Sequence, residues 1–541
     1  MKLLWVLISD SLERIMVNKR KKTTLLLICL ALGALNLYFY LLNKNMFFLG
    51  FSDAAKFADI ARSVVTGEGY TSNFTFFNNS SLKVSGFPSI SRYVPPLMPF
   101  SIASSFKLFG VSDISVIIPS VVFFLSLIGV TYLLGSKLWG NLVGVLSATA
   151  IVFNNNILDY AVSGASESLF IFEIVLASLL LVVKNKRANI FALIVIVAMY
   201  FTRPQAIIYI FGFLLLFLLL NKPLKKAVIS FLLVFIVGSV LFLLNSKQGF
   251  FAITQQLPSQ SASDALRGLS QQVGVVLIIK KFLYNVYNFY RLLPQIASPY
   301  LWALFIIGMF KWSKSKTENV FKISVFFMVT ITFLVASITV PFFRYIHPIV
   351  PLIYIVAVVT LVQLVSNFQF PVLNLRISKS KFVILTTSFI ILLFAVGQTL
   401  GVIFLDSRFE RKTHNVGKPP VYVLLSWKLK DITEPDQVIV TNLDTWGTWY
   451  GERKTVWFPL TPSMLDIGDS SNLFDAIYLT SYLMDDENYY MGSEWRQIFL
   501  NPDQPEDKFI RDNYVLKGLY GIDADDNYEN EDARAVLLVK K

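Results

Sequence analysis

The chain has 541 residues, 55% of them hydrophobic and 15% charged, with 48 phenylalanines and a formal net charge of +13. Soluble domains are about a quarter charged, so composition excludes an ordinary soluble enzyme and points to a polytopic membrane protein. The charge is split: residues 405–541 carry 24 acidic and 15 basic residues and residues 1–404 carry 33 basic and 11 acidic ones, so the excess positive charge serves membrane orientation and argues against a nucleic-acid partner.

Residues 1–18 form an amphipathic stretch without a small-residue cleavage site, and no cleavable signal peptide is expected. Lys19-Arg20-Lys21-Lys22 abuts the first apolar run, as at the cytoplasmic end of a span. The single cysteine, Cys29, lies inside that run and excludes a disulfide framework. A helix crosses the hydrocarbon with about 20 apolar residues. Eleven such segments are expected, near 23–43, 113–135, 140–157, 167–183, 188–202, 204–220, 227–244, 294–310, 321–341, 345–365 and 382–404. Alternate connections are basic: Lys137; Lys184, Lys186 and Arg187; Lys222, Lys225 and Lys226; Lys311, Lys314 and Lys316; Arg376, Lys379 and Lys381. The positive-inside rule places these and the N-terminus in the cytoplasm, and leaves residues 44–112, 245–293 and the tail outside. VGVVLIIKKFLYNVYNFYRLL (273–293) would hold two lysines at mid-membrane, so it is expected to lie in the outer interface. YVPPLMPFSIASSFKLFG (93–110) reads the same way.

Two domains are expected: a membrane domain over 1–404, whose first outer loop is 44–112, and an extracytoplasmic soluble α/β domain over 405–541. In the tail SWKLKDI and TWGTWYGER read as helices, and QVIVTNL, TVWFPL, DAIYLT and AVLLVKK as strands. DADDNYENED (523–532) lacks the glycine and spacing of a calcium loop and reads as a solvated acidic loop.

Few acids precede the tail, which narrows the search for chemistry. Asp113 after Ser112 is expected to cap the second span. Glu167, after Ser166, opens the fourth span, where the helix dipole suits an anion as well as a site role does. Glu173 lies within that span and needs a partner, without a role that can be named. Asp159 is a further candidate acid. In SDAAKFADIARSVV, Asp59 and Arg62 can pair at i,i+3. Asp53 has no evident local partner except Lys56, and both a helix cap and a catalytic role stand for it. Lys56, Arg62, Arg92, Arg203 and Arg344 gather at the outer face. Snorkelling to headgroups accounts for them, and so does a phosphate, which guanidinium groups bind bidentately. His347 reads as a satisfied helix residue, His414 stands apart, and a histidine metal site is not expected.

SDAAKFADIARSVVTGEGY, PPLMPFSIASSFKLFG, SESLF, FTRPQA and FRYIHPIVPL follow one another in an order that resembles membrane glycosyltransferases of the GT-C class, relatives of protein O-mannosyltransferases and the lipid A aminoarabinose transferase. The resemblance covers most of residues 23–365. It implies a polytopic GT-C-like helical domain, a polyprenyl-phosphate-linked sugar donor and a catalytic base early in the first outer loop, a role that falls on Asp53. Lys56, Arg92, Tyr93, Arg203 and Arg344 are the candidates for the donor's phosphate and sugar, and Asp59, Asp159 and Glu167 the possible second acids. Protein mannosyltransferases carry Asp-Glu where this chain has Asp53-Ala54, and Val94 precedes the Pro-Pro pair. The sugar, and whether the acceptor is a lipid, glycan or protein, stay open. One carboxylate suffices for an inverting displacement, a retaining one asks for a second about 5 Å away, and no cofactor or obligatory metal is expected. A polysaccharide polymerase or ligase, or a flippase for a lipid-linked sugar, is the alternative.

Overall fold

The computed structural model describes residues 19–44, 48–77, 89–90, 94–227, 229–233, 275–339, 342–367, 379–405, 418–466, 474–482 and 491–541. The expected amphipathic stretch 1–18, Arg92, Tyr93, His414 and most of the expected span 227–244 lie outside these residues.

The helices of the membrane part are α1 (Lys19–Lys44), α2 (Ser52–Thr66), α3 (Leu97–Phe109), α4 (Asp113–Trp139), α5 (Asn141–Val152), α6 (Asn155–Ala161), α7 (Glu167–Val182), α8 (Lys186–Thr202), α9 (Ala206–Asn221), α10 (Val275–Arg291), α11 (Leu293–Ile296), α12 (Pro299–Phe310), α13 (Lys316–Ile338), α14 (Val350–Asn367) and α15 (Lys379–Leu405). Two 3₁₀ turns, Phe343–Tyr345 and His347–Ile349, lead into α14. Four helical segments are long and apolar enough to cross a membrane, Lys22–Leu41, Asp113–Trp139, Lys316–Ile338 and Phe343–Asn367, and the pair α5–α6, bent by 68°, makes a fifth if it counts as one span. The chain is thus a multi-pass helical membrane protein. Several helices are apolar on their outer side too: α1 buries Cys29, Leu37 and Tyr40 while Leu27, Ile28, Leu35, Tyr38 and Phe39 face out, as suits a lipid solvent. Gly135 and Gly144 let α4 and α5 touch along their backbones; a Cβ on Gly135 would stand 2.9 Å from Gly144 Cα. The bend at α5–α6 is held by Asn154, which accepts from the Ile157 N–H at 3.0 Å and donates to Tyr354 Oη at 2.9 Å.

The tail forms an α/β layer, built from α16 (Val421–Ile432), α17 (Trp446–Trp449), α18 (Ser493–Leu500) and α19 (Lys508–Asn513) around one sheet. In chain order the strands of the molecule are β1 (Thr71–Ser72), β2 (Phe74–Phe76), β3 (Ser89–Ile90), β4 (Val438–Thr441), β5 (Lys454–Trp457), β6 (Ala476–Thr480), β7 (Tyr514–Ile522) and β8 (Ala533–Lys540). β1 pairs only with β3, and the rest form a sheet in the order β2-β5-β4-β6-β8-β7. The pairings among β2, β5, β4 and β6 are parallel, and β8 and β7 close the far edge antiparallel. β6 is buried throughout, as a central strand should be, whereas β7 alternates exposed and half-buried residues at the edge. The four tail strands read from sequence are present, as are both helices. The near edge comes from elsewhere: β2 belongs to the first outer loop and pairs Phe74, Thr75 and Phe76 with Thr455, Val456 and Trp457. The sheet therefore draws on both 44–112 and the tail. Phe74, 2% exposed and edge-on to Phe76 and Trp457, seals the joint.

Candidate active site

Helix α2 presents one small apolar face, Ala54, Ala55, Ala58, Ile60 and Ala61, all fully buried, so it packs closely and its first turn is rigid. It stops at Gly67, whose φ of +91° only glycine adopts freely and whose N–H reaches Ser63 O. The residue before it, Phe51, occupies the N-cap position without a side-chain bond. Neither Ser52 nor Asp53 caps the helix, which corrects the cap reading of Asp53.

Asp53 instead meets Arg344, 291 residues away, with Arg344 Nη1 2.8 Å from Asp53 Oδ2. The partner that sequence separation hid is therefore an arginine from the 3₁₀ turns before α14. The two side chains are 41% and 33% exposed, so the pair stays partly open on its outer side. Burial raises the Asp53 carboxyl, but the charges of Arg344, Arg203 and Lys56 and the Arg344 hydrogen bond outweigh it, so the group ionises below its usual range. Arg344 is framed by the rings of Phe342 and Tyr345, 5.6 and 5.7 Å from its guanidinium carbon. Its turn is anchored behind: Gln205 Nε2 donates to Tyr345 O at 3.0 Å, and His347 joins Tyr160 Oη at 2.6 Å and Gln295 O at 3.2 Å through its two ring nitrogens. His347 is thus satisfied, as expected, on a 3₁₀ turn.

Arg203, at the joint of α8 and α9, is almost buried and lies 2.5 Å from Glu167 Oε1. The contact is charge to charge: neither Glu167 oxygen has a hydrogen-bond partner among the described residues, and Arg203 Nη1 donates to Ser166 Oγ at 3.2 Å. Lys56 lies over the rings of Phe74 and Phe76, at 5.3 and 4.6 Å, so the same strand that joins the sheet holds this cation. Burial lowers the Lys56 ammonium, and Asp53, Asp444 and Asp59 oppose that in part.

The other candidate acids have structural partners. Asp59 is fully buried and accepts from Arg62 Nη2 (2.7 Å), Ser72 Oγ (2.7 Å) and the Asn73 N–H (2.8 Å), so it fixes the path from α2 to β2. Asp159 accepts from Tyr40 Oη at 2.7 Å. Glu173 accepts from Thr202 Oγ1 at 3.0 Å. Asp113 is no cap, since Ser112 accepts the Ser115 N–H. Its carboxylate holds the tail, accepting from Trp449 Nε1 at 2.7 Å and Tyr450 Oη at 2.8 Å. The same docking brings Asp444 to the start of α2, where its charge acts on Lys56. Nothing in its acidic surroundings marked it in the sequence. Among the described residues no cluster of three or more His, Cys, Asp or Glu could hold a metal ion.

A sequence profile for the dolichyl-phosphate-mannose-protein mannosyltransferase family matches residues 93–246. No curated protein matches. Among solved structures, ArnT from Cupriavidus metallidurans bound to undecaprenyl phosphate superposes with a TM-score of 0.50 at 14% identity, covering 95% of this chain and 97% of that one. The chain has the GT-C fold. The oligosaccharyltransferase AglB from Archaeoglobus fulgidus, in complex with an inhibitory peptide and a dolichol-phosphate, agrees at a TM-score of 0.52 and 9% identity over 85% of this chain and 69% of its own. The resemblance read from the ordered motifs is thus borne out: the family profile and both superpositions point to the GT-C class.

Proposed function

We propose that the protein moves a sugar from a polyprenyl-phosphate-linked donor to an acceptor hydroxyl at the exterior membrane–water interface, with inversion. The observation that carries this reading is the Asp53–Arg344 pair, a half-exposed carboxylate and guanidinium in contact, on which the charges of Arg203 and Lys56 also act. Both solved relatives hold a polyprenyl phosphate, which supports the donor class. Arg344, free to share its fork between Asp53 and a phosphate, and Arg203 behind it meet the charge that grows on the leaving phosphate. As the phosphate draws on Arg344, Asp53 regains proton affinity and takes the acceptor's hydroxyl proton while that oxygen attacks the anomeric carbon. The eleven-span topology, with cytoplasmic N-terminus and exterior tail, belongs to the same proposal, as do donor contacts from Arg92 and Tyr93. Mass spectrometry of glycolipids and glycoproteins from cells with and without the gene tests it. One glycan product should vanish and return with the wild-type gene but not with Asp53→Asn; an unchanged profile, or rescue by that variant, would overturn it.

A further inference from the structure

The tail brings a second acid to the start of α2, within electrostatic reach of Asp53 and Lys56. Asp444 sits between β4 and α17 at a φ of +55°, a left-handed conformation that aspartate and asparagine tolerate. Its Oδ1 accepts the Thr445 N–H at 2.8 Å, and the neighbouring Ser52 hydroxyl favours its ionised form. Thr445 Oγ1 in turn donates to Ser52 O at 2.6 Å. Around this clamp, Trp446 Nε1 and Tyr422 Oη both donate to Leu49 O, at 3.1 and 3.0 Å, and the Leu49 N–H donates to Tyr450 Oη at 2.6 Å. The turn bearing Asp444 is thus fastened to the segment that opens α2, one residue from Asp53.

The reaction proposed above, on which this inference rests, changes the charge around Asp53. The donor is a phosphodiester with one negative charge. The leaving lipid is a phosphate monoester whose second ionisation falls near pH 6. Each turnover therefore creates added negative charge and one proton together. Asp53, held ionised by three cations, keeps that proton poorly. The geometry points to Asp444 as the acid that takes up the proton and holds it while the lipid phosphate is still bound. The acceptor O–H proton passes to Asp53, the acceptor oxygen bonds the anomeric carbon, and the carbon–oxygen bond to phosphate breaks with its electron pair on phosphate. The proton then moves from Asp53 to the Asp444 carboxylate and out to water. Burial raises Asp444, the Ser52 hydroxyl opposes it, the Asp53 charge raises it again, and the Thr445 N–H and Lys56 oppose it, leaving titration at about 7. The charged groups that act on it are Asp53 and Lys56, both from α2.

Calorimetric binding of undecaprenyl phosphate to the full-length protein in detergent at pH 7.5, in two buffers of unequal ionisation heat, counts the protons taken up. The phosphate's own titration is common to all variants. Asp444→Asn keeps the backbone conformation and the Thr445 bond, and it should take up roughly half a proton less per lipid than the wild type. Equal uptake overturns the inference. Should a melting curve show Asp444→Asn misfolded, Asp444→Gly, at ease at this φ, replaces it under the same criterion. Absence of lipid binding by the wild type sinks the donor reading and this one with it; binding whose proton uptake ignores residue 444 sinks this one alone.

Discussion

Replacing Asp53 with asparagine separates chemistry from structure because the two effects differ in size. The residue caps nothing, and its pair with Arg344 is a third or more exposed on both sides. Exposed ion pairs contribute about 0–1 kcal/mol, so stability should fall by no more than that, and asparagine can still accept from Arg344. A positioned base contributes about 10²–10⁴-fold in rate, or roughly 2.7–5.5 kcal/mol at 1.36 kcal/mol per decade. The assay is sugar transfer from lipid-linked donor by purified protein, run beside a thermal melt. We expect turnover to drop within that range while the melt and the binding of polyprenyl phosphate barely move. Asp59→Asn should do the opposite, because that buried carboxylate carries three hydrogen bonds of the fold. Wild-type turnover in Asp53→Asn would refute the assignment and send the search for the base to Asp444.

Arg344→Lys should weaken undecaprenyl phosphate binding although the charge is kept, because a single ammonium cannot serve phosphate and Asp53 with a planar fork; unchanged affinity in both Arg203→Ala and Arg344→Ala would reject the phosphate assignment. Arg203→Ala strands the fully buried Glu167, a loss of about 3–5 kcal/mol, and adding Glu167→Gln should recover much of the melting temperature. Acid should loosen the exterior side of the site: Asp53 ionises below its unfolded value, so its stabilisation is complete above the ordinary carboxylate range and is lost as pH falls through the folded value. A pH series of melts should show a smaller acid loss in Asp53→Asn. A protease site at Lys418 should be cut from the exterior and one at Lys225 only from the cytoplasm; cutting of both from one side would overturn the topology.

The helical segments were legible because hydropathy is a local property of about 20 residues, and basic clusters mark their ends. The tail strands were legible for a similar reason, as short runs such as QVIVTNL and TVWFPL bounded by turns. What stayed hidden is long-range. FTF at 74–76 is too short to declare itself a strand, and its partner, Lys454–Trp457, lies at the far end of the chain. Asp113 carried a local explanation, capping, which the structure replaces with a bond to Trp449 and Tyr450. Arg344 stood out as a cation on the side that the positive-inside rule leaves poor in cations. Its pairing with Asp53 needed the fold. Asp444 sat among many tail acids, and only docking onto Ser52 distinguishes it.

The parallel pairing of Phe74–Phe76 with Thr455–Trp457 also dictates an order of events during synthesis. The ribosome makes the edge strand about 380 residues before its partner. At roughly 5–20 residues per second that is a delay of about 20–80 s. Throughout that interval the backbone groups of Phe74, Thr75 and Phe76 have no ladder to join, and Lys56 has no settled aromatic seat. The surroundings of Asp53 are therefore among the last parts of the molecule to mature, and a truncated chain ending before Lys454 would hold its membrane helices with an unfinished site.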